Sequence, residues 1–390
     1  MTTPRVYLDN AATSWPKPES VYRAVERCLR EVGAAAGRGA YTEAMEAGRI
    51  VESARTAVCR LLGAGNSRQI AFTSNGTDSL NLVLHGWLQP GDHVVTTAAE
   101  HNSVLRPLAE LQVRRQVEAT IVPCDRHGFV DPDDVRRAIR PETSLVVLTH
   151  ASNVTGTLQG VREVADAAHE HGAAMLLDAA QTLGHMPVDV NLLGIDFLAA
   201  PGHKGLLGPL GTGVVYIRET HCERLNSLRQ GGTGTRSDEQ RHPDAMPEKF
   251  EAGNLNVPAL AGLGAGVEFL LVRGLATVRR AEGQLLDRLI QHLQAIDRVQ
   301  VFGPEQSADR AGVVSVALAG YDPQEAATLL DASFRVQARA GLHCAPLIHK
   351  AIGTFEQGGT VRFSVGPMTT EAEIDAAVAA VREMTADAVV

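Results

Sequence analysis

Lys204 lies in Ala199-Ala200-Pro201-Gly202-His203-Lys204-Gly205, a Gly/Pro/His turn that follows an apolar run. A lysine in that setting is held at a strand end, not on a solvated helix face. Upstream, the apolar run Ala173-Ala174-Met175-Leu176-Leu177 ends in Asp178-Ala179-Ala180-Gln181. An amine and a carboxylate at the ends of neighbouring buried strands suit pyridoxal phosphate. The amine condenses with the aldehyde, and the carboxylate keeps the pyridine nitrogen protonated so that the ring accepts electrons. Each part alone has a plainer account. A lone lysine is usually a surface charge, and Asp178 with Gln181 three residues on also reads as a helix capping box.

Other residues carry chemistry that fits the same cofactor. Thr73-Ser74-Asn75-Gly76-Thr77-Asp78-Ser79 reads as a strand end, a turn and a helix start, with free N–H groups that cradle phosphate. Gly76 allows close approach and Thr77 adds a hydroxyl, although an ordinary N-cap looks the same. His101, in Ala99-Glu100-His101-Asn102-Ser103, could stack on a planar ring and exchange protons, or be a loop histidine. Asn153 could donate its amide to a ring oxygen, or be a turn residue ahead of Gly156. Of five cysteines, Cys28 and Cys59 fall in apolar helical patterns, and Cys124 and Cys222 among loop residues. Cys344, in Arg339-Ala340-Gly341-Leu342-His343-Cys344-Ala345-Pro346, has Arg and His beside it, surroundings that favour the reactive thiolate. Arg362 alternates with Val361 and Phe363 on a strand, where it could grip a carboxylate or simply face solvent.

These residues need a scaffold, and the apolar pattern supplies one. Strands are predicted at Gln69–Thr73, His93–Thr97, Thr120–Pro123, Leu145–Thr149, Ala173–Leu177, Phe197–Ala200 and Gly213–Ile217. Helical spacing lies between several of them, as at Val161–Glu170, and before them at Glu19–Glu31 and Glu43–Leu62. Continuous apolar strands alternating with helices imply a mostly parallel sheet covered on both faces, with ligands at the carboxyl ends of its strands. Asn75, His101, Asn153, Asp178 and Lys204 all follow such strands. After Gly253 the texture changes. A long helical stretch at Leu260–Leu293 leads to an α+β region with strands near Gly312–Ala317, Phe334–Ala338 and Thr360–Val365, then a helix at Glu371–Ala386. The reading is an α/β chain with a large domain over residues 1–260 and a smaller α+β domain over 261–390. The segment 1–18 is a candidate to pack on the smaller one.

Composition narrows the class. At 390 residues the chain can bury a large core, and no apolar run approaches the roughly 18 residues of a membrane span. The first residues carry no apolar stretch of a secretory signal. A net charge of −9 with no concentrated basic run argues against nucleic acid. The odd, scattered cysteines with no C-x-x-C pair suggest neither zinc nor a disulfide framework, so a cytoplasmic setting is expected.

Taken together, the motifs resemble the class V aminotransferase family of fold-type I pyridoxal phosphate enzymes, with a seven-stranded, mostly parallel sheet. Within it they resemble the SufS-type (group II) cysteine desulfurases. The likeness runs nearly end to end, through Tyr7-Leu8-Asp9-Asn10-Ala11-Ala12-Thr13, Asn75-Gly76-Thr77, Glu100-His101, Ser152-Asn153-Val154-Thr155-Gly156, Asp178-Ala179-Ala180-Gln181, Gly202-His203-Lys204, Phe250-Glu251-Ala252-Gly253, Arg339 with His343-Cys344, and Arg362. It implies that Lys204 carries the cofactor, that Asp178 pairs with the ring nitrogen and that Gln181 and Asn153 bond the ring oxygen. His101 would stack on the ring while Gly76, Thr77 and His203 hold the phosphate. Arg362, Arg339, Asn10 and Ala11 would bind substrate, and Cys344 would take its sulfur. A homodimer is also implied, with Asn254 reaching the neighbour's phosphate. The chain departs from the family pattern at Pro201 (often serine), Asn254 (usually threonine) and Leu342 (commonly histidine).

The activity expected from the resemblance is conversion of L-cysteine to L-alanine with a persulfide left on Cys344, for a protein or small-molecule sulfur acceptor. Selenocysteine lyase, a cysteine or cystine C–S lyase, or another aminotransferase or epimerase of the same scaffold are the alternatives. A non-catalytic scaffold is argued against by the intact set of Lys204, Asp178, His101 and Cys344.

Overall fold

A computed structural model describes residues 5–235 and 238–386. Its strands are β1 (Val6–Tyr7), β2 (Ile70–Thr73), β3 (His93–Thr97), β4 (Glu118–Val122), β5 (Thr143–Thr149), β6 (Ala174–Asp178), β7 (Phe197–Pro201) and β8 (Gly213–Ile217). Beyond them lie β9 (Val299–Phe302), β10 (Val313–Leu318), β11 (Val336–Gln337), β12 (Arg339–Gly341) and β13 (Thr360–Ser364). Seven strands form one sheet in the order β2-β8-β7-β6-β5-β3-β4, in which β8 alone runs antiparallel to its neighbours.

The apolar runs make this sheet because both of its faces are covered. Along β6 and β7, Met175, Leu177, Leu198 and Ala200 enter one core while Ala174, Leu176, Phe197 and Ala199 enter the other. That period of two, apolar on both sides, is the mark of a strand buried front and back. The parallel strands all end at one edge of the sheet, so the loops after β2, β3, β5, β6 and β7 gather there. In register, Thr149 lies beside Asp178 and Asp178 beside Ala199.

A second, antiparallel sheet has the order β12-β13-β10-β9. Its core joins Val316, Val361 and Phe363 to Leu286 and Leu289 of the helix Leu275–Gln294, and to Val6 and Leu8 near the N-terminus. β1 pairs in parallel with β11, and Asp9 bridges to Ser364. The N-terminal chain then returns to the large sheet. The carbonyl of His203 accepts from Ser14 N–H at 3.1 Å and from Lys17 Nζ at 2.9 Å, so this segment grips the turn that carries Lys204.

The structure departs from expectation in three places. The stretch Leu260–Leu293 is two helices, Val257–Arg273 and Leu275–Gln294, which bend by 84° at Gly274. Gly274 sits at φ 77°, where a side chain is strained. The strand near Phe334–Ala338 shrinks to β11, because the helix Pro323–Phe334 runs up to it and Arg335 caps that helix at φ 56°. β9 and β12 escape the sequence pattern. β12 is only Arg-Ala-Gly at a sheet edge, without a β-branched residue to signal it.

A buried ion pair fixes the segment after Phe250. Arg55 Nη1 and Nη2 meet Glu251 at 2.7 and 2.9 Å, and Glu251 Oε1 accepts the Phe72 amide at 2.7 Å. Removing one partner leaves a buried charge uncompensated. Glu251→Ala should therefore lower unfolding free energy by about 3–5 kcal/mol in chemical denaturation. A loss below about 1 kcal/mol, the value of a surface pair, would show that water reaches Arg55.

Candidate active site

The loops at the carboxyl edge of the large sheet enclose a cavity. Asn75, Gly76, Thr77, His101, Asn153, Asp178, Gln181, His203 and Lys204 all line it. Nine positions spread over 130 residues of sequence thus meet at one place. Arg339, Cys344, Arg362, Asn10 and Ala11 are not part of that lining. Arg362 bonds the Asn153 carbonyl, Gln181 the Ala11 carbonyl and Asn102 the Cys344 carbonyl, so Arg362, Ala11 and Cys344 sit one contact behind it, and Arg339 and Asn10 further off.

Lys204 is half-buried and lines the cavity, and none of the described residues hydrogen-bonds its Nζ. Burial, with the Arg362 guanidinium nearby, pulls its pKa down to about 8, so much of the amine is neutral and nucleophilic near that pH. Asp178 ends β6 and accepts the Ala180 amide at 2.9 Å. That contact makes a tight turn in place of the helix cap that Gln181 could have completed. Burial raises the Asp178 pKa, and the Ala180 N–H and Lys204 oppose the rise. Glu100, just behind, is pushed up to about 8 by burial and holds a proton at neutral pH. Of the two acids, Asp178 lines the cavity and Glu100 does not.

His101 caps the helix Asn102–Arg115. Its Nδ1 accepts the Ser103 amide at 3.0 Å, which puts the ring proton on Nε2. Burial and the nearby Lys204 lower its pKa to about 4, so the ring is neutral. Thr77 Oγ1 meets Ser103 Oγ at 2.7 Å, joining the starts of two helices on one wall. A Cβ at position 76 would come 3.0 Å from Pro201 Cδ and 3.1 Å from its backbone nitrogen, which accounts for the glycine. His203 Nδ1 is buried without a hydrogen-bond partner among the described residues.

This wall has the donor set that pyridoxal phosphate requires. A neutral amine, an acid, a flat neutral imidazole and an unpartnered imidazole nitrogen surround a helix N-terminus with free N–H groups. The residues fit the group. Gln181 Nε2 donates to the Ala11 carbonyl at 3.2 Å, and Asn153 Nδ2 to the His343 carbonyl at 2.7 Å. Each amide keeps one further N–H.

Arg362 is no exposed strand arginine. It is 1% exposed, and its Nη2 pairs with Asp9 at 2.8 Å. Its Nη1 donates to the Asn153 carbonyl at 3.1 Å, while Nε is buried without a partner among the described residues. Arg339, opposite Arg362 in the β12–β13 register, places Nη2 3.7 Å from Cys344 Sγ. Cys344 is the exposed cysteine of the five. The second basic neighbour expected from the sequence turns away: His343 is buried, faces Thr360 at 3.1 Å, and is held neutral by that burial. Among the described residues, Arg339 is the one whose side chain reaches the thiol, with Arg362 behind it. Asn10 spends its side chain on the Ser364 carbonyl at 3.0 Å and the Trp15 amide at 3.3 Å. Asn254 is exposed and lines a separate depression with Ser74 and Arg229.

Sequence reasoning passed over Asp9, Ser103 and Lys17. Asp9 carried a signal, a carboxylate straight after the apolar pair Tyr7-Leu8. Ser103 also reaches Thr77 across 26 residues and Lys17 reaches His203 across 186, contacts that no spacing reveals. Among the described residues no group of three His, Cys, Asp or Glu side chains could hold a metal, and no single helix is long and apolar enough to cross a membrane.

Comparison with known proteins adds independent findings. The family model for aminotransferase class-V matches residues 6–377. A probable cysteine desulfurase of Methanothermobacter thermautotrophicus is 38% identical over 95% of this chain and 92% of its own length. A cysteine desulfurase of Haloferax volcanii is 34% identical over 90% of this chain and 83% of its own. The apo structure of cysteine desulfurase from Thermococcus onnurineus superposes with a TM-score of 0.92 at 34% identity, covering 98% of this chain and 95% of the other.

Proposed function

Because this chain belongs to the class-V aminotransferase family, we propose that it is a pyridoxal phosphate-dependent cysteine desulfurase. The net reaction is L-cysteine plus the Cys344 thiol giving L-alanine plus a Cys344 persulfide. One observation carries the reading: the loop bearing an exposed cysteine is bonded directly to the cofactor-cavity wall, His343 to Asn153 and Cys344 to the start of the His101 helix.

When bound, pyridoxal phosphate supplies an electron sink that acidifies the substrate Cα–H. The protein does the rest. Asp178 would keep a proton at the ring nitrogen, and the N–H groups after Asn75, with Gly76, Thr77 and His203, would hold the phosphate. His101 would stack on the ring as a neutral imidazole, Gln181 and Asn153 would offer it their spare N–H groups, and Lys204 would carry the cofactor covalently. Released by substrate, Lys204 Nζ takes the Cα proton and returns one to carbon. Arg362 binds the substrate carboxylate through its free Nε edge, in competition with Asp9, and Arg339 adds a second charge at the rim. The Ala11 backbone and Asn10 wall that side. The Cys344 thiolate attacks the substrate sulfur, so an S–S bond forms as the C–S bond breaks and its electron pair stays with carbon.

Further parts of the reading rest on the same likeness. The chain works as a homodimer in which Asn254 reaches the neighbour's phosphate, which its exposed position supports. The cofactor domain extends through the helix Val257–Arg273, whose Leu263, Val267 and Leu270 pack in its core, and the domain that brings Cys344 follows, taking in Val6 and Leu8. The setting is the cytoplasm, and a thiol-bearing acceptor removes the sulfur.

Incubating holoenzyme with L-cysteine and a reductant tests the assignment. Alanine and sulfide are expected in equal amounts with no pyruvate. Pyruvate as the main carbon product would replace the assignment with a β-eliminating lyase. Parallel reactions with L-selenocysteine rank the two substrates.

A further inference from the structure

The Cys344 loop is bent against its own preference. His343 and Cys344 take φ of 48° and 59°, two consecutive left-handed residues that both carry side chains. There the Cβ crowds the following carbonyl, so such a pair persists only where the surroundings hold it. Its holds can be named. The His343 carbonyl accepts from Asn153 Nδ2 at 2.7 Å, and the Cys344 carbonyl accepts the Asn102 amide, also at 2.7 Å. The Ala345 amide closes the turn on the Leu342 carbonyl at 2.9 Å.

Asn153 is the firmer of the two clamps, because its own loop cannot give. Ser152 Oγ accepts the Val154 and Thr155 amides, both at 3.1 Å. Ser315 Oγ donates to the Val154 carbonyl at 2.7 Å, and buried Arg310 donates to the Thr155 carbonyl at 2.6 Å. Arg362 holds the Asn153 carbonyl itself. A side chain fixed this way transmits the position of the β5 end to whatever it grips.

We propose that Asn153 is the positioning residue for Cys344: its side-chain amide, by holding the His343 carbonyl, keeps the two left-handed residues in place and sets the thiol against the cavity that Asn153 also lines. This deepens the desulfurase reading and rests on it for the thiol's role. An amide nitrogen has two N–H donors. One grips the loop and the other is left for the cavity that Asn153 lines, so a single side chain links the nucleophile's loop to that cavity.

The test uses holoenzyme carrying Asn153→Asp, which keeps size and loses the donor, and Asn153→Ala as a second variant. Hydrogen exchange is followed by mass spectrometry in peptides containing Asn102 and residues 342–346, with β6 as an internal reference. Exchange at Asn102 and Ala345 should quicken by roughly tenfold or more while β6 is unchanged. Persulfide formed on Cys344 in a single turnover should slow in both variants. Unchanged exchange in the loop overturns the proposal, and so does exchange that rises equally in β6, since Asn153 would then serve the whole fold. A wild type that forms no persulfide sinks the desulfurase reading and leaves the exchange result standing.

Discussion

Lys204→Ala should abolish alanine formation from L-cysteine, with a loss of at least roughly 10⁴-fold, the upper end of what a positioned acid–base group contributes. The residue is asked to do two things, to carry the cofactor and to move the Cα proton, and no neighbour can do either. Arg362 is committed to Asp9 and the Asn153 carbonyl, Arg339 lies beside the Cys344 thiol, and Asp178 is tied to the Ala180 amide. His101, held to a pKa of about 4, offers only an Nε2–H. The fold should survive, because the change removes an amine that hydrogen-bonds to none of the described residues. Two measurements separate the roles. The absorbance band of the lysine-bound cofactor should vanish, and Cα–H exchange of L-alanine into deuterated water should stop. Added methylamine, a proton carrier small enough for the vacated space, should restore part of the exchange but not the covalent link. Turnover within tenfold of wild type would sink the assignment of Lys204.

The reach of the sequence was set by the range of the forces involved. The large sheet was legible because each of its strands is a short apolar run buried on both faces, and a run of that kind is written in consecutive residues. His93–Thr97 and Gly213–Ile217 match to the residue. Lys204, Asp178 and His101 were legible for the same reason, since each ends or follows such a strand and the sheet edge gathers them. β12 was not legible, because three residues at a sheet edge owe their form to pairing with β13 and not to their own pattern. The burial of Arg362 was hidden too. Alternation rightly sent it to the face opposite Val361 and Phe363, but that face is closed by Asp9 and Asn153, which lie 353 and 209 residues away. Charge compensation by a distant partner leaves no local trace. The same holds for His343, whose place beside Cys344 in the sequence suggested a second cation near the thiol. Its left-handed backbone turns the ring inward to Thr360 instead.

Cys344→Ala and Cys344→Ser should each cut alanine and sulfide production by at least roughly 10³-fold, about 4 kcal/mol in the barrier. The reasoning depends on what the substitutions leave alone. Cys344 does not line the cavity with Lys204 and Asp178, and its backbone is held by Asn153 and Asn102, not by its own side chain. Cofactor binding and Cα–H exchange should therefore persist at close to wild-type values. That split, an intact proton step with a lost sulfur step, distinguishes a missing nucleophile from a damaged site. Serine sharpens the contrast, because its hydroxyl keeps the size and a hydrogen bond to Arg339 but cannot accept sulfur as a persulfide. If the variants still release sulfide with pyruvate in place of alanine, the C–S bond breaks by elimination and Cys344 is a bystander. If both the exchange and the sulfur step disappear, the loop is part of the cofactor site itself. Loss of the sulfur step alone is the result that the geometry requires, since Arg339 at 3.7 Å stands beside a single exposed thiol and no other cysteine of the chain is exposed.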